Sequence, residues 1–153
     1  MPRTKKSETA EKEETRKAKT ASKMVDILMG TGRRKTAIAS VWLKKDKGTI
    51  TVNDVKIEEY FPGEEAKKRY EEPFRVVNRV GQFAATIKVS GSGQRAQLSA
   101  VVHGLSRALA GYEESFAQIL AKRKLLTRDS RMKESRKYGH AGKARKRKQS
   151  PKR

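Results

Sequence analysis

Three segments of this chain carry groups that could hold a phosphate. Gly91-Ser92-Gly93-Gln94-Arg95-Ala96 has the form G-x-G-x-x-A between a strand-like and a helix-like segment. Small residues there leave N–H groups free at a helix start, where the unpartnered first turn and the helix dipole favour an anion, and Gln94 and Arg95 would add donors beside Gly91 and Gly93. Gly30-Thr31-Gly32-Arg33-Arg34-Lys35-Thr36 sets Arg33, Arg34 and Lys35 beside glycines, which suits contact with a nucleic-acid backbone. Lys143-Ala144-Arg145-Lys146-Arg147-Lys148, followed by Lys152-Arg153, packs cations at a density that repels itself in isolation. A polyanion relieves that repulsion and releases its own counterions.

Other chemistry has less support. A dinucleotide turn at Gly91 should lead through its helix into a second parallel strand ending in an acid; here another helical stretch and then the basic tail follow. A phosphate-binding loop of the Walker type needs Gly where Arg34 stands, and it precedes a helix rather than a strand. His103 lies within an apolar periodic segment beside Val102 and Gly104, so it reads as a packed or half-exposed histidine rather than a general base. Asp129, between Arg128 and Arg131, reads as an orienter of guanidinium groups rather than a metal ligand. With no cysteine and only two histidines, thiolate chemistry and a Cys- or His-rich metal cage are excluded. Phe and Tyr are scattered and form no run for stacking single strands. The expectation is a protein that is not an enzyme, with no cofactor, no metal and no small-molecule substrate.

Composition points the same way. Among 153 residues, 38 Lys and Arg stand against 17 Asp and Glu, a net charge of +21. Leu, Ile, Val and Phe total 28 of 153, too few to bury the whole chain at this charge. Most of these apolar residues fall within 30–121, which is expected to be the folded body. Residues 1–29 read as a mobile charged extension and 122–153 as an extended basic tail, carrying 15 basic and 2 acidic residues. No segment has the length and apolarity of a membrane span, and the tail lacks an aliphatic face for a membrane surface. An intracellular, soluble protein without a membrane partner is expected.

Within the body, Ala37–Leu43 has the β-branched and aromatic content of a strand, and Asp46-Lys47-Gly48 then Thr49–Val52 suggest that it pairs as a hairpin with a second strand. Ile57–Phe61 should be a helical turn ending before Pro62-Gly63, Glu64–Glu72 a charged helix, and Pro73 the start of another short one. Phe83, Ala85, Ile87 and Val89 alternate as in a half-buried strand. Leu98, Val101, Val102, Leu105 and Leu109 follow one helix face, with Gly111 ending or bending that helix and Phe116, Ile119 and Leu120 marking the next. These elements predict an α+β fold with a small sheet covered on one face.

Taken together, Gly30–Thr36, the Gly91-Ser92-Gly93-Gln94 turn with Ser99, Gly104 and Arg107-Ala108-Leu109 after it, Leu126-Thr127-Arg128-Asp129 with Arg131, and the terminal Lys152-Arg153 resemble the bacterial type of the ninth protein family of the small ribosomal subunit. The resemblance runs from about Met29 to Arg153 and leaves 1–28 aside. It implies an α+β domain with a left-handed βαβ crossover in the head of the small subunit, bound to ribosomal RNA and beside neighbouring head proteins. It further implies a tail whose end reaches the peptidyl-tRNA site, where Lys152 and Arg153 would meet the tRNA anticodon stem-loop. The expected ribosomal-RNA contacts are Arg33, Arg34, Lys35, Gly91, Gly93, Gln94, Arg95, Arg107, Arg128, Arg131, Lys143, Arg145, Lys146, Arg147 and Lys148, in a protein of the cytoplasmic ribosome. Two positions depart from the family: Ser92 stands where a third glycine is usual, and Ser150-Pro151 where Phe-Ser is usual, with Pro151 holding Ser150 extended. A DNA-compacting architectural protein is the rival reading, but no exposed minor-groove wedge residue is evident.

Overall fold

The structure is a computed structural model that describes residues 27–140 and 142–145. Strands β1 (Ile27–Arg34), β2 (Ala37–Lys44), β3 (Ile50–Val52) and β4 (Val55–Lys56) come first. Helices α1 (Ile57–Tyr60) and α2 (Glu64–Val76), strand β5 (Ala84–Ser90), and helices α3 (Gln94–Tyr112) and α4 (Glu114–Lys122) follow. The five strands form one sheet in the order β1-β2-β5-β3-β4. β3 and β5 run parallel and the other pairs antiparallel, so β4, α1 and α2 form the connection of a βαβ crossover. This is the α+β fold expected.

The sheet order corrects the expected hairpin. β2 does not pair with β3; β5 inserts between them, and β2 pairs instead with β1 through a two-residue turn at Lys35 and Thr36. The Gly30–Thr36 segment is therefore mostly strand, and because β1 begins at Ile27, residues 27–29 belong to the sheet rather than to the N-terminal extension. The chain passes from β3 to β4 through Asn53 and Asp54, both at positive φ (47° and 68°), the geometry of a tight hairpin turn that Asn and Asp tolerate. Asn53 also carries the ladder on to β5: its amide donates to the Val89 carbonyl at 3.0 Å and accepts from the Val89 N–H at 2.9 Å.

Two helix expectations also change. α2 runs through Pro73 to Val76 as one helix, because the buried Pro73 ring packs into the core and offsets the one backbone hydrogen bond it forgoes. α3 continues past Gly111 to Tyr112, and the break falls at Glu113, whose backbone is extended (φ −149°, ψ 134°).

Alternation along the strands gives the sheet two unlike faces. Ala37, Ala39, Val41 and Leu43 of β2 and Ala85, Ile87 and Val89 of β5 are buried under the helices, with Val101, Leu105, Leu109 and Leu120 completing the core. The opposite face carries Met29 and Arg33 of β1, Ile38, Ser40, Trp42 and Lys44 of β2, and Thr86 and Lys88 of β5.

Candidate nucleic-acid interface

The glycines of β1 set how closely the long helix lies on the sheet. A Cβ on Gly32 would stand 1.9 Å from the Ala100 carbonyl oxygen and 2.4 Å from the Gly104 nitrogen, and one on Gly30 would stand 2.3 Å from the Gly104 carbonyl oxygen. Gly104 is equally needed, since its own Cβ would meet Val41 Cγ2 at 2.8 Å. These residues therefore bring backbone against backbone, and β1 and α3 share an intimate seam along the edge of the sheet.

That seam positions the polar side chains. β1 is an edge strand, and Thr31 and Arg33 turn their backbone groups away from β2 toward α3. Arg107 Nη1 donates to the Thr31 carbonyl at 2.8 Å, and the Arg33 N–H donates to His103 Nδ1 at 3.3 Å. His103 Nε2 lies 3.2 Å from the Leu126 carbonyl, so the neutral Nε2–H form donates to Leu126 while Nδ1 accepts from Arg33. One imidazole thus blunts the open edge of β1 and ties the segment after α4 to the body. Burial lowers the His103 pKa below its usual value, against the raising effect of the Leu126 carbonyl, and Arg107 and Arg128 lower it further.

A depressed histidine pKa means that the unfolded chain binds the proton first, so the stabilisation is complete above about pH 6.5 and is lost as pH falls below it. Thermal unfolding followed from pH 7.5 to 5.5 is expected to show falling stability toward the acid end. His103→Gln, whose amide both donates and accepts but does not titrate, is expected to flatten that slope; an unchanged slope in the variant would mean that His103 is not its source.

Beyond Leu126, the chain is held by Asp129. Its carboxylate receives Arg34 Nη1 at 2.5 Å and Arg131 Nη2 at 2.6 Å, and Arg34 also donates to the Asp129 carbonyl at 3.2 Å. The Arg131 hydrogen bonds, with Arg34 adding to them, hold the Asp129 carboxyl far below the usual carboxylate range. Asp129 orients guanidinium groups, as expected, but its partners are Arg131 and the distant Arg34 rather than Arg128.

The expected contact residues separate accordingly. Arg33, Arg107 and Arg128 line one depression with Thr31, His103 and Leu126, and no acid is among its lining residues. Arg34 and Arg131 are paired with Asp129, and Arg145 is paired with Glu134 at 2.5 Å. Gly91, Gly93, Gln94 and Arg95 form a second, separate place at the start of α3, ~20 Å along the helix from Arg107. There Gly91 is needed for its backbone (φ 80°) and for space, because a Cβ would stand 2.4 Å from the Thr36 carbonyl oxygen beside Lys35. Ser92 occupies a left-handed conformation (φ 53°), which accounts for a glycine being usual at that position. Gly93 caps α3 without a side-chain bond. Lys143 is exposed beyond the Asp129 anchor, whereas Lys146, Arg147, Lys148, Lys152 and Arg153, and residues 1–26 of the N-terminal extension, lie outside the described residues. The roles of His103 and Leu126 in holding the tail root had no local signal: the polar partners are backbone groups 70 and 23 positions away.

Fold and cation placement define the class: a small basic α+β protein whose edge strand and long helix carry arginines lining one depression beside the root of a cationic tail. The family model described as ribosomal protein S9/S16 matches residues 32–153. The chain is 43% identical to the small ribosomal subunit protein uS9 of Rickettsia conorii (strain ATCC VR-613 / Malish 7) over 160 aligned positions, covering 100% of both chains. It is 42% identical to the small ribosomal subunit protein uS9 of Syntrophobacter fumaroxidans (strain DSM 10017 / MPOB) over 109 positions, 71% of this chain and 84% of that one. The chain belongs to the ribosomal protein S9/S16 family. It is a structural protein of the small ribosomal subunit, located in the ribosome in the cytoplasm.

Proposed function

We propose that the body binds ribosomal RNA of the small-subunit head through Arg33, Arg107 and Arg128, and that the tail continues this contact toward the peptidyl-tRNA site. The observation that supports the reading is that Arg33, Arg107 and Arg128 line one depression with Thr31, His103 and Leu126, none of which is an acid. Guanidinium forks suit phosphate oxygens, and the β1–α3 seam fixes where they stand. Lys35 at the hairpin turn, the Gly91–Arg95 turn, and Lys143 to Lys148 along the tail supply further phosphate contacts, while Arg34, Arg131 and Arg145 shape the tail through their own ion pairs. Lys152 and Arg153 meet the anticodon stem-loop of the bound tRNA, and other head proteins adjoin the body. Both ring nitrogens of His103, the titratable group of the seam, are engaged by backbone, which supports a structural rather than a proton-transfer role for it.

The test is the salt dependence of binding to small-subunit ribosomal RNA. Every phosphate that a variant no longer neutralises reduces the log–log slope by about 0.7 on single strands and about 0.9 on duplex. Replacing Arg33, Arg107 and Arg128 together by Gln is therefore expected to reduce the slope by about 2 to 3 and to weaken binding at fixed salt. An unchanged slope would remove these residues from the interface, and equal affinity for arbitrary duplex DNA would favour the architectural DNA-binding alternative.

A further inference from the structure

We propose that the helix-free face of the sheet is a second RNA-binding surface, on which Trp42 stacks against an exposed base while Arg33, Lys44 and Lys88 hold the flanking phosphates. The inference rests on the ribosomal-RNA reading above and adds a separate surface to it. Trp42 stands at the middle of this face, paired across to Met29 on β1 and to Thr86 on β5. Lys88 pairs with Ser40, which places it diagonally from Trp42, and Lys44 is the next residue on the same side of β2. Such neighbours lie ~5–8 Å apart at their Cβ atoms, within reach of long side chains.

Two properties of the face choose its occupant. It is apolar where a folded surface is usually polar: Met29 is 72%, Ile27 50% and Ile38 45% exposed, and clustered exposure of this kind marks a contact surface. Among the described strand residues its charge is of one sign: the strand alternation directs Arg33, Lys44, Lys88 and, on β4, Lys56 to this side, and no acid. An aromatic ring among cations on an open sheet suits unstacked RNA bases with their phosphates. The face is also continuous with the arginine depression, because Arg33 belongs to both.

Trp42 is the only tryptophan of the chain, so indole fluorescence reports on this face alone. The full-length protein is titrated with small-subunit ribosomal RNA while retention on a filter measures binding independently. Bound RNA is expected to quench Trp42 and to cut its accessibility to acrylamide several-fold. Lys44→Glu with Lys88→Glu, both exposed, is expected to weaken binding ~10-fold or more and restore acrylamide access without altering the melting temperature. Trp42→Phe, which keeps a stacking ring, should bind within ~3-fold of the parent, and Trp42→Ser about 10-fold more weakly. RNA retained at full affinity with Trp42 as open to acrylamide as in the free protein would overturn the proposal and leave the face for an acidic protein partner. Failure to retain RNA at all would overturn the underlying reading as well.

Discussion

Gly32→Ala is expected to lower the melting temperature by roughly 10–20 °C, because its Cβ meets the shortest contact of any glycine in the described residues. The added Cβ would stand 1.9 Å from the Ala100 carbonyl oxygen and 2.4 Å from the Gly104 nitrogen, both backbone atoms of α3. A flexible side chain could swing aside, but a helix backbone moves only as a unit, and α3 also packs on Val41 and carries Leu105 and Leu109 into the core. Overpacking of this kind costs about 1–3 kcal/mol, occasionally more, and each kcal/mol moves the midpoint of a domain of this size by about 4–8 °C. Gly111→Ala is the control of opposite sign. Its Cβ would meet nothing within 4 Å, and alanine in the last turn of a helix is favoured over glycine by at most about 0.5–1 kcal/mol. Scanning calorimetry of the two variants decides: a Gly32→Ala protein that melts with the parent would mean that the β1–α3 seam is looser than the geometry requires. Because His103 and Arg107 meet β1 across the same seam, that variant is also expected to lose RNA affinity.

Removal of residues 132–153 is expected to leave the body folded and to flatten the salt dependence of RNA binding by about 4 in log–log slope, if half of the ten basic side chains in that segment meet phosphates. The position of the cut matters. Composition alone places the start of the tail at Lys122, but Leu125 and Leu126 pack against the core, the Leu126 carbonyl meets His103, and Asp129 holds Arg34 and Arg131. A truncation at 122 would strip away these interactions and confound stability with charge, whereas one after Arg131 keeps them. An unchanged slope with an intact body would refute the tail's part in binding. Deleting only Lys152 and Arg153 should lower the slope by less than 2, preserve assembly into the subunit and weaken tRNA binding at the peptidyl site; loss of assembly would show that the pair acts elsewhere.

Much of the architecture is legible in local pattern. The alternation from Phe83 to Val89 and the apolar face of Leu98 to Leu109 are properties of neighbouring residues within one element, and both appear where the spacing places them. The strand nature of Gly30 to Arg34 is hidden because glycine is a poor strand former, and its reason for being there is a helix that arrives some 70 residues later. For the same reason Asp46-Lys47-Gly48 suggests a hairpin that does not form: whether β2 pairs with β3 depends on β5, whose core-facing Ala85, Ile87 and Val89 insert between them.

The candidate interface divides along the same line. The sequence alone shows a charge excess, concentrated in the tail, that no fold can neutralise internally with so few acids. It also determined the family, through residues whose order and spacing survive without knowledge of contacts. Which cations are paired with acids depends on contacts that only folding creates. Arg33 and Arg34 are adjacent and chemically identical, yet Arg34 is ion-paired with Asp129, 95 positions away, while Arg33 lines a depression with Arg107 and Arg128. Charge is additive along a chain and can be counted, whereas an ion pair or an edge-strand contact exists only where folding brings two distant residues to one place.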